Sequence, residues 1–368
     1  MSDFYGLRES SASISRMVAE GFIVAVSGKL LEEFEEAAAN LFGNRFGVAT
    51  CNGTAAIHVG LYGVGVGPGD EVLLPTYGYH GMAVPINCLG ARPVFCDVDP
   101  ETLCLDPEDC AKRITTRTKA ILALHPWGNP CHLDALEDLA HGHGLALVSD
   151  ASHAHGARWK RRPIGSFSHV LCASMGPGKL ITGGELGVAT TDDPRIRDRM
   201  LLFGHVNRVP EALGTEEYKG IDNAVGLKIR PHALALRLAL DQLHTFQGRE
   251  ARLSERVHSL ALRVQDAGFG VQESYGSATR TFWKLIVRGT PELLQRLRRR
   301  ASDRSLRLET DHYDPPLHRS TIFTRYYGLS EVSLPRAEAL QGTLVQIHAI
   351  DLWDDGLMGQ YLGLFENE

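Results

Sequence analysis

Residues Arg45–Leu61 read RFGVATCNGTAAIHVGL, a short apolar run, a polar turn and a second apolar run. Arg45–Thr50 has the length and composition of a buried strand, and Ile57–Leu61 continues as a helix. The same alternation recurs along the chain. Glu71–Leu74, Arg92–Asp97, Lys119–His125, Leu145–Asp150 and Val170–Ala173 read as further strands. Helical patterns separate them, as with Leu133, Leu136 and Leu139 before the stop HGHG. Strands alternating with helices predict a mostly parallel sheet covered by helices on both faces. In such sheets ligands bind beyond the carboxyl ends of the strands. The residues just after each strand are therefore the candidates for chemistry.

A smaller second region is expected from the C-terminal pattern. A helix containing Pro231–Gln247 precedes a helical segment, Glu250–Ala267, a strand, Thr281–Arg288, and a basic helix, Glu292–Ser302. The expected division is a large domain over residues 1–247 and a small α/β domain over 248–368. The run Arg298-Arg299-Arg300 reads as a solvated helix face, because 38 basic residues against 44 acidic ones leave a net charge of −6. That balance excludes affinity built on neutralising a nucleic-acid backbone. No apolar run approaches the ~20 residues of a membrane span, and the N-terminus has no basic, then apolar, leader pattern. Seven cysteines without a CxxC pair suit reduced thiols, so a cytoplasmic protein is expected.

Two glycine-rich stretches fail as nucleotide motifs. Gly63–Gly69 puts Pro68 or Asp70 where GxGxxG needs its last glycine, and it precedes a strand instead of opening a helix. Gly178-Lys179 lacks the first P-loop glycine, since residue 173 is Ala, and Leu180 stands in place of Ser or Thr.

Four segments remain, each with an ordinary structural alternative. Cys51–Ala56 opens a helix directly after a strand, so the amides about Gly53, Thr54 and Ala55 could cradle a phosphate, or Asn52 could simply cap the helix. Asp150 ends a strand, where it could face a cationic ring nitrogen or cap a helix; His153 and His155 follow without completing a zinc site. Ser174–Gly187 places Lys179 among glycines, a setting for a Schiff-base lysine or for a solvated one. Pro75–His80 places Tyr79 past a strand end, where it could stack on a planar ligand or pack in a core. Together, a phosphate cradle, a stacking aromatic, a carboxylate and an amine match the needs of pyridoxal 5′-phosphate. No metal is called for.

These blocks resemble the DegT/StrS-type sugar aminotransferases, which have the type I fold of pyridoxal-phosphate enzymes. The likeness rests on FGVATCNGTAAIHVGL, GVGPGDEVLLPTYGY, GARPVFCDVDPETLCLDPE, TKAILALHPWG, VSDASHAHGARW and SMGPGKLITGGELGV, in that order, and covers about Phe34–Gln242. The resemblance implies that Lys179 bonds the cofactor and moves protons. It implies that Asp150 keeps the pyridine nitrogen protonated, that Tyr79 stacks on the ring, and that Thr54, Ala55 and Ser174 hold the phosphate. His153 would contact the phenolic oxygen, where many relatives have Gln. Gly226–Arg230 departs from the family pattern G-x-N-x-R, so either Lys228 would meet the phosphate of a neighbouring subunit in place of Asn, or that cross-subunit contact is altered. His205, Arg230 and His318 are candidate substrate residues.

The resemblance further implies a homodimer with shared active sites that takes an amine from glutamate or glutamine. The acceptor is expected to be a keto sugar, nucleotide-linked, in polysaccharide or secondary-metabolite biosynthesis; an aminocyclitol ketone is the alternative. A sugar dehydratase, in which His replaces the lysine, is disfavoured by Lys179. A cofactor-binding sensor without turnover is disfavoured by the full set Lys179, Asp150, Ser174 and Thr54.

Overall fold

A computed structural model of the chain describes residues 3–21, 28–205, 208, 213–218, 221, 225–310, 313–329 and 332–366. Its centre is a seven-stranded sheet. From one edge the order is Phe46–Thr50, Gly187–Thr191, Val170–Ser174, Ala146–Asp150, Thr118–Leu124, Glu71–Pro75 and Arg92–Cys96. Six strands point the same way, and Gly187–Thr191 runs against them. The sequence pattern does not mark that seventh strand, which begins at the last glycine of the segment Ser174–Gly187. Gly187 is needed there: a Cβ would fall 2.2 Å from the Asn52 carbonyl oxygen.

Both faces of the sheet are buried, with the side-chain period of two expected of strands. Val72, Leu74, Ala120, Leu122 and Val148 join one apolar cluster with Ile57 and Leu61 of helix Gly53–Gly63. Leu73, Ile121, Ala123 and Leu147 join another with Leu136 and Ala140 of helix Leu133–His143. The Gly63–Gly69 stretch is a helix end and a turn, with φ of +88° at Gly65 and +87° at Gly69. The common strand direction brings Thr50, Pro75, Leu124, Asp150 and Ser174 to one edge of the sheet.

The C-terminal region carries a second, antiparallel sheet in the order Gly270–Val271, Lys284–Arg288, Leu344–His348, Glu309–Thr310. Helix Pro291–Asp303 buries Leu294, Leu297 and Ala301, which leaves Arg299 exposed. The two helical segments expected on either side of residue 248 form one helix, Ala233–Asp266, of 34 residues. Gly248 lies on its exposed side, where a glycine costs a helix only about 1 kcal/mol. Leu236, Leu240, Phe246, Leu253, Val257 and Leu260 of this helix all belong to one core. The second strand starts later than expected. Before it, the Thr281 amide donates to Gly128 O (3.1 Å) and the Trp283 amide to Trp127 O (3.3 Å), so the chain crosses to the large sheet first.

Among the described residues no helix is long and apolar enough to cross a membrane. The seven cysteines are unpaired, five of them buried.

Candidate active site

Where the strand ends converge there is a cavity of about 800 Å³. Gly53, Thr54, Tyr79, Asp150, His153, Ser174 and Lys179 line it, with Trp283 and Tyr313 from the C-terminal region. Seven residues chosen from separate sequence blocks thus share one wall.

The helix start comes first. Asn52 caps helix Gly53–Gly63 by accepting from the Ala55 amide (2.8 Å). The Ala55 amide, assigned to a phosphate from the sequence, is therefore already committed here. A helix leaves its first amides without internal partners, and those of Gly53 and Thr54 belong to residues that line the cavity. A Cβ on Gly53 would sit 2.4 Å from that of Ser174, so only glycine lets the helix start approach the neighbouring strand end. The Thr54 and Ser174 hydroxyls stand beside it. Ser174 Oγ accepts from the Gly176 amide (3.2 Å). Tyr79 lies next to Thr54, because a Cβ on Gly81 would meet both, at 2.7 and 2.8 Å. Tyr79 is 55% exposed, with its ring centre 4.2 Å from that of His80.

Asp150 is buried at the end of its strand, and its Oδ1 accepts from the Ser152 amide (2.9 Å). Burial pushes its carboxyl above the usual range, against the Ser152 bonds and the Lys179 charge. Such a carboxylate gains from a cation placed against it. Lys179 is brought down to about 7 by burial; Asp150 opposes that shift and Lys284 adds to it. Its Nζ stands 3.7 Å from the centre of the Trp283 ring. At neutral pH the lysine thus holds a substantial fraction of free amine, the form that attacks a carbonyl.

The two nearby histidines do different work. His153 accepts from the Trp127 amide at Nδ1 (3.3 Å), has Nε2 3.4 Å from the Tyr313 hydroxyl, and stacks on Trp283 with ring centres 3.9 Å apart. His155 is buried under the lysine segment. Its Nδ1 accepts from the Ile181 amide (3.3 Å) while Nε2 donates to Ser174 O (2.9 Å), which fixes the neutral tautomer; burial lowers its pKa to about 3. Gln242 completes the support, accepting from the Thr182 amide (3.0 Å) and donating to its carbonyl (2.7 Å).

The remaining candidates lie outside the cavity wall. His205 is buried behind the first strand and donates from Nε2 to Ala49 O (2.6 Å). Burial and Arg208 lower its pKa to about 4, so it is a neutral structural donor. His318 is buried between Thr76 Oγ1 (2.6 Å from Nδ1) and Glu338 (3.0 Å from Nε2); it pins the loop whose Leu317 and Ser320 do line the cavity. Lys228 is exposed and Arg230 half-buried, and neither lines the cavity of its own chain. Sequence reading does not single out Ser152, Glu185, Trp283 or Tyr313. Trp283 stands in an expected strand and Tyr313 in no pattern at all.

The model of the DegT/DnrJ/EryC1/StrS aminotransferase family matches residues 8–356. The chain belongs to that family. Among its relatives, the L-glutamine:scyllo-inosose aminotransferase of Streptomyces griseus is 34% identical, over 72% of this chain and 64% of its own length. The dTDP-3-amino-3,4,6-trideoxy-alpha-D-glucose transaminase of Streptomyces venezuelae is 33% identical, over 90% of this chain and 84% of its own. The solved structure of DesV from S. venezuelae, in complex with a ketimine intermediate, superposes with a TM-score of 0.86 at 28% identity, covering 100% of this chain and 97% of that one. Members of the DegT/DnrJ/EryC1/StrS family have the type I fold and depend on pyridoxal 5′-phosphate, with pyridoxamine 5′-phosphate as its aminated form. The residues here fit that group: a helix start with two hydroxyls for a phosphate, a buried carboxylate in search of a cation, and an amine near neutrality.

Proposed function

We propose that this chain is an aminotransferase that takes an amino group from glutamate or glutamine and delivers it to the ketone of a sugar, nucleotide-linked, or of a cyclitol. The observation that carries the reading is the pairing of Lys179, held to about 7, with buried Asp150 at the open end of the sheet, beside the Gly53–Thr54–Ser174 cradle. The names of the two relatives above, one acting on a cyclitol and one on a nucleotide-linked sugar, support both acceptors.

In this reading the bound cofactor supplies an electron sink for the carbon that loses its proton. The chain supplies the rest. Thr54, Ser174 and the helix start hold a phosphate, with the Ala55 amide freed from Asn52 if it joins them. Asp150 keeps a proton on a ring nitrogen, and Tyr79 covers a ring face. His153, fixed by the Trp127 amide and Trp283, meets an oxygen on the ring edge. Lys179, once its amine is released, is a base with a pKa near working pH, the condition for efficient proton transfer. Trp283 and Tyr313 close the side away from the sheet and exclude water. This assigns cofactor binding to residues 1–247 and closure of the pocket to 248–368.

We further propose a cytoplasmic homodimer with shared sites. Val225 and Leu227 are 64% and 53% exposed around Lys228, and Tyr79 is open at the rim. A second copy that buries the apolar pair would bring Lys228 and Arg230 to the cradle of its neighbour.

The test is the absorbance spectrum of the protein with its cofactor, before and after L-glutamate or L-glutamine. The expected result is a band near ~410–430 nm that collapses toward ~330 nm with donor and returns with a keto sugar or cyclitol ketone. No band after reconstitution would overturn the enzyme reading.

A further inference from the structure

The loop that carries Lys179 is rich in glycine, and Gly178 turns it with φ of +74°. Left to itself, such a segment would let the lysine point in many directions. His155 and Gln242 hold the residues on either side, at Ser174, Ile181 and Thr182. Two more contacts act on the lysine itself. The Trp283 indole Nε1 donates to Gly178 O (2.7 Å), and the Tyr5 hydroxyl donates to Lys179 O (2.9 Å). These carbonyls belong to the two peptide planes that meet at the Lys179 Cα. Each plane is rigid, and only φ and ψ at that Cα relate them. Fixing both planes fixes both dihedrals, and with them the direction of the Cα–Cβ bond.

The donors come from segments far apart in the chain. Tyr5 precedes helix Leu7–Ala19 and is buried. Burial pushes its phenol upward, so it remains an O–H donor across the working range. Its neighbour Phe4 is anchored separately: Arg249 Nη1 donates to Phe4 O (2.9 Å), and the Phe4 ring packs edge-on to Trp353 at 5.2 Å. Trp283 is itself fixed by the hydrogen bond its amide donates to Trp127 O and by the stacked His153 ring.

We propose that Tyr5 and Trp283 are positioning residues, a pair of hydrogen bonds from the N-terminal segment and the C-terminal region that sets the direction in which Lys179 enters the cavity. The proposal rests on Lys179 being the cofactor lysine. It gives the first turn of the chain a part in the site, although Tyr5 touches neither cavity nor ligand.

The variants are Y5F, which keeps the ring and removes its donor, and W283F, which removes the donor and leaves a smaller aromatic ring. The full-length chain, stripped of cofactor, is mixed with pyridoxal 5′-phosphate, and the band near ~410–430 nm is followed in time. Hydrogen–deuterium exchange is measured on residues 3–19 and 176–182. Each variant is expected to slow capture about five- to tenfold, the weight of one lost hydrogen bond. Exchange should rise in 176–182 and stay unchanged in 3–19 for Y5F, and kcat should fall with little change in KM for the donor. Capture at the wild-type rate in both variants would overturn the proposal. So would equal loosening of 3–19 in Y5F, which would mean that Tyr5 only docks the N-terminal segment. If K179M forms the same band as wild type, Lys179 is not the cofactor lysine, and the site reading fails along with the proposal.

Discussion

The cavity has two walls of different construction. On one side, Gly53, Thr54, Asp150 and Ser174 are set by the ends of parallel strands and by the start of one helix. Their backbone is fixed by sheet hydrogen bonds, and each stands within a few residues of a strand terminus. On the other side, Trp283, Tyr313, Leu317 and Ser320 come from a crossing segment and a loop. Aromatic contacts hold this wall, among them Trp127 to Tyr313 at 5.4 Å and Tyr77 to Tyr313 at 5.4 Å. The first wall carries the buried Asp150, and the second, Asp314 apart, carries shape. Chemistry should therefore fail with changes on the first, and selectivity or closure with changes on the second.

The sharpest way to break this contrast is K179M. It should remove the long-wavelength band and lower turnover on the order of 10³-fold or more, read by absorbance and by donor consumption. D150N should follow with a loss of roughly 10²-fold in turnover while the protein still folds, since its strand is fixed by its neighbours. A D150N enzyme with wild-type turnover would deprive the first wall of its charge.

The pH dependence sharpens the same point. With Lys179 at about 7, its free amine should decrease about tenfold per unit below pH 7, and capture of pyridoxal 5′-phosphate should slow in parallel. A capture rate flat from pH 5.5 to 8.5 would contradict it. The linked stability effect has a definite sign. Between about pH 7 and 10.5 the unfolded chain binds a proton at this lysine that the folded chain does not, so its burial penalty is relieved as the pH rises through that window.

Support beneath the first wall should show as stability. H155F strands the Ser174 carbonyl and the Ile181 amide in the core, an expected loss of about 2–4 kcal/mol in denaturant unfolding. His155 is lowered from 6.5 to about 3, so stability should fall as pH drops from 6.5 toward 3, where the unfolded chain takes up a proton that the folded one refuses. The variant should lack that part of the acid slope. The smallest expected effect is H205F, costing about 1 kcal/mol from its bond to Ala49 O, with kcat/KM within about threefold of wild type. A large loss of activity would return His205 to the substrate site.

Each wall is legible in the sequence to the degree that its construction is local. Strand ends can be located from local pattern, so Thr54, Asp150 and Ser174 stand out by their position at or just beyond an apolar run. Lys179 stands out because a lone amine among glycines is unusual chemistry. Trp283 looks like one more residue of a strand, since nothing local says that the chain crosses to Trp127 before pairing begins. His205 looks like a site residue in its segment, but its ring turns inward to a strand carbonyl.

By itself, then, the sequence determined the alternation of strand and helix, the common edge where strands end, and the chemical types gathered there. These depend on period, turn residues and composition, which are properties of neighbours in the chain. Only the tertiary structure decided that Ala55 is already paired with Asn52, that one helix runs through residue 248, and that Tyr5 and Trp283 meet at the peptide planes of Lys179. Those contacts join residues as many as 174 positions apart. They form because closing the fold brings buried donors to carbonyls that must be satisfied, a requirement no local pattern records.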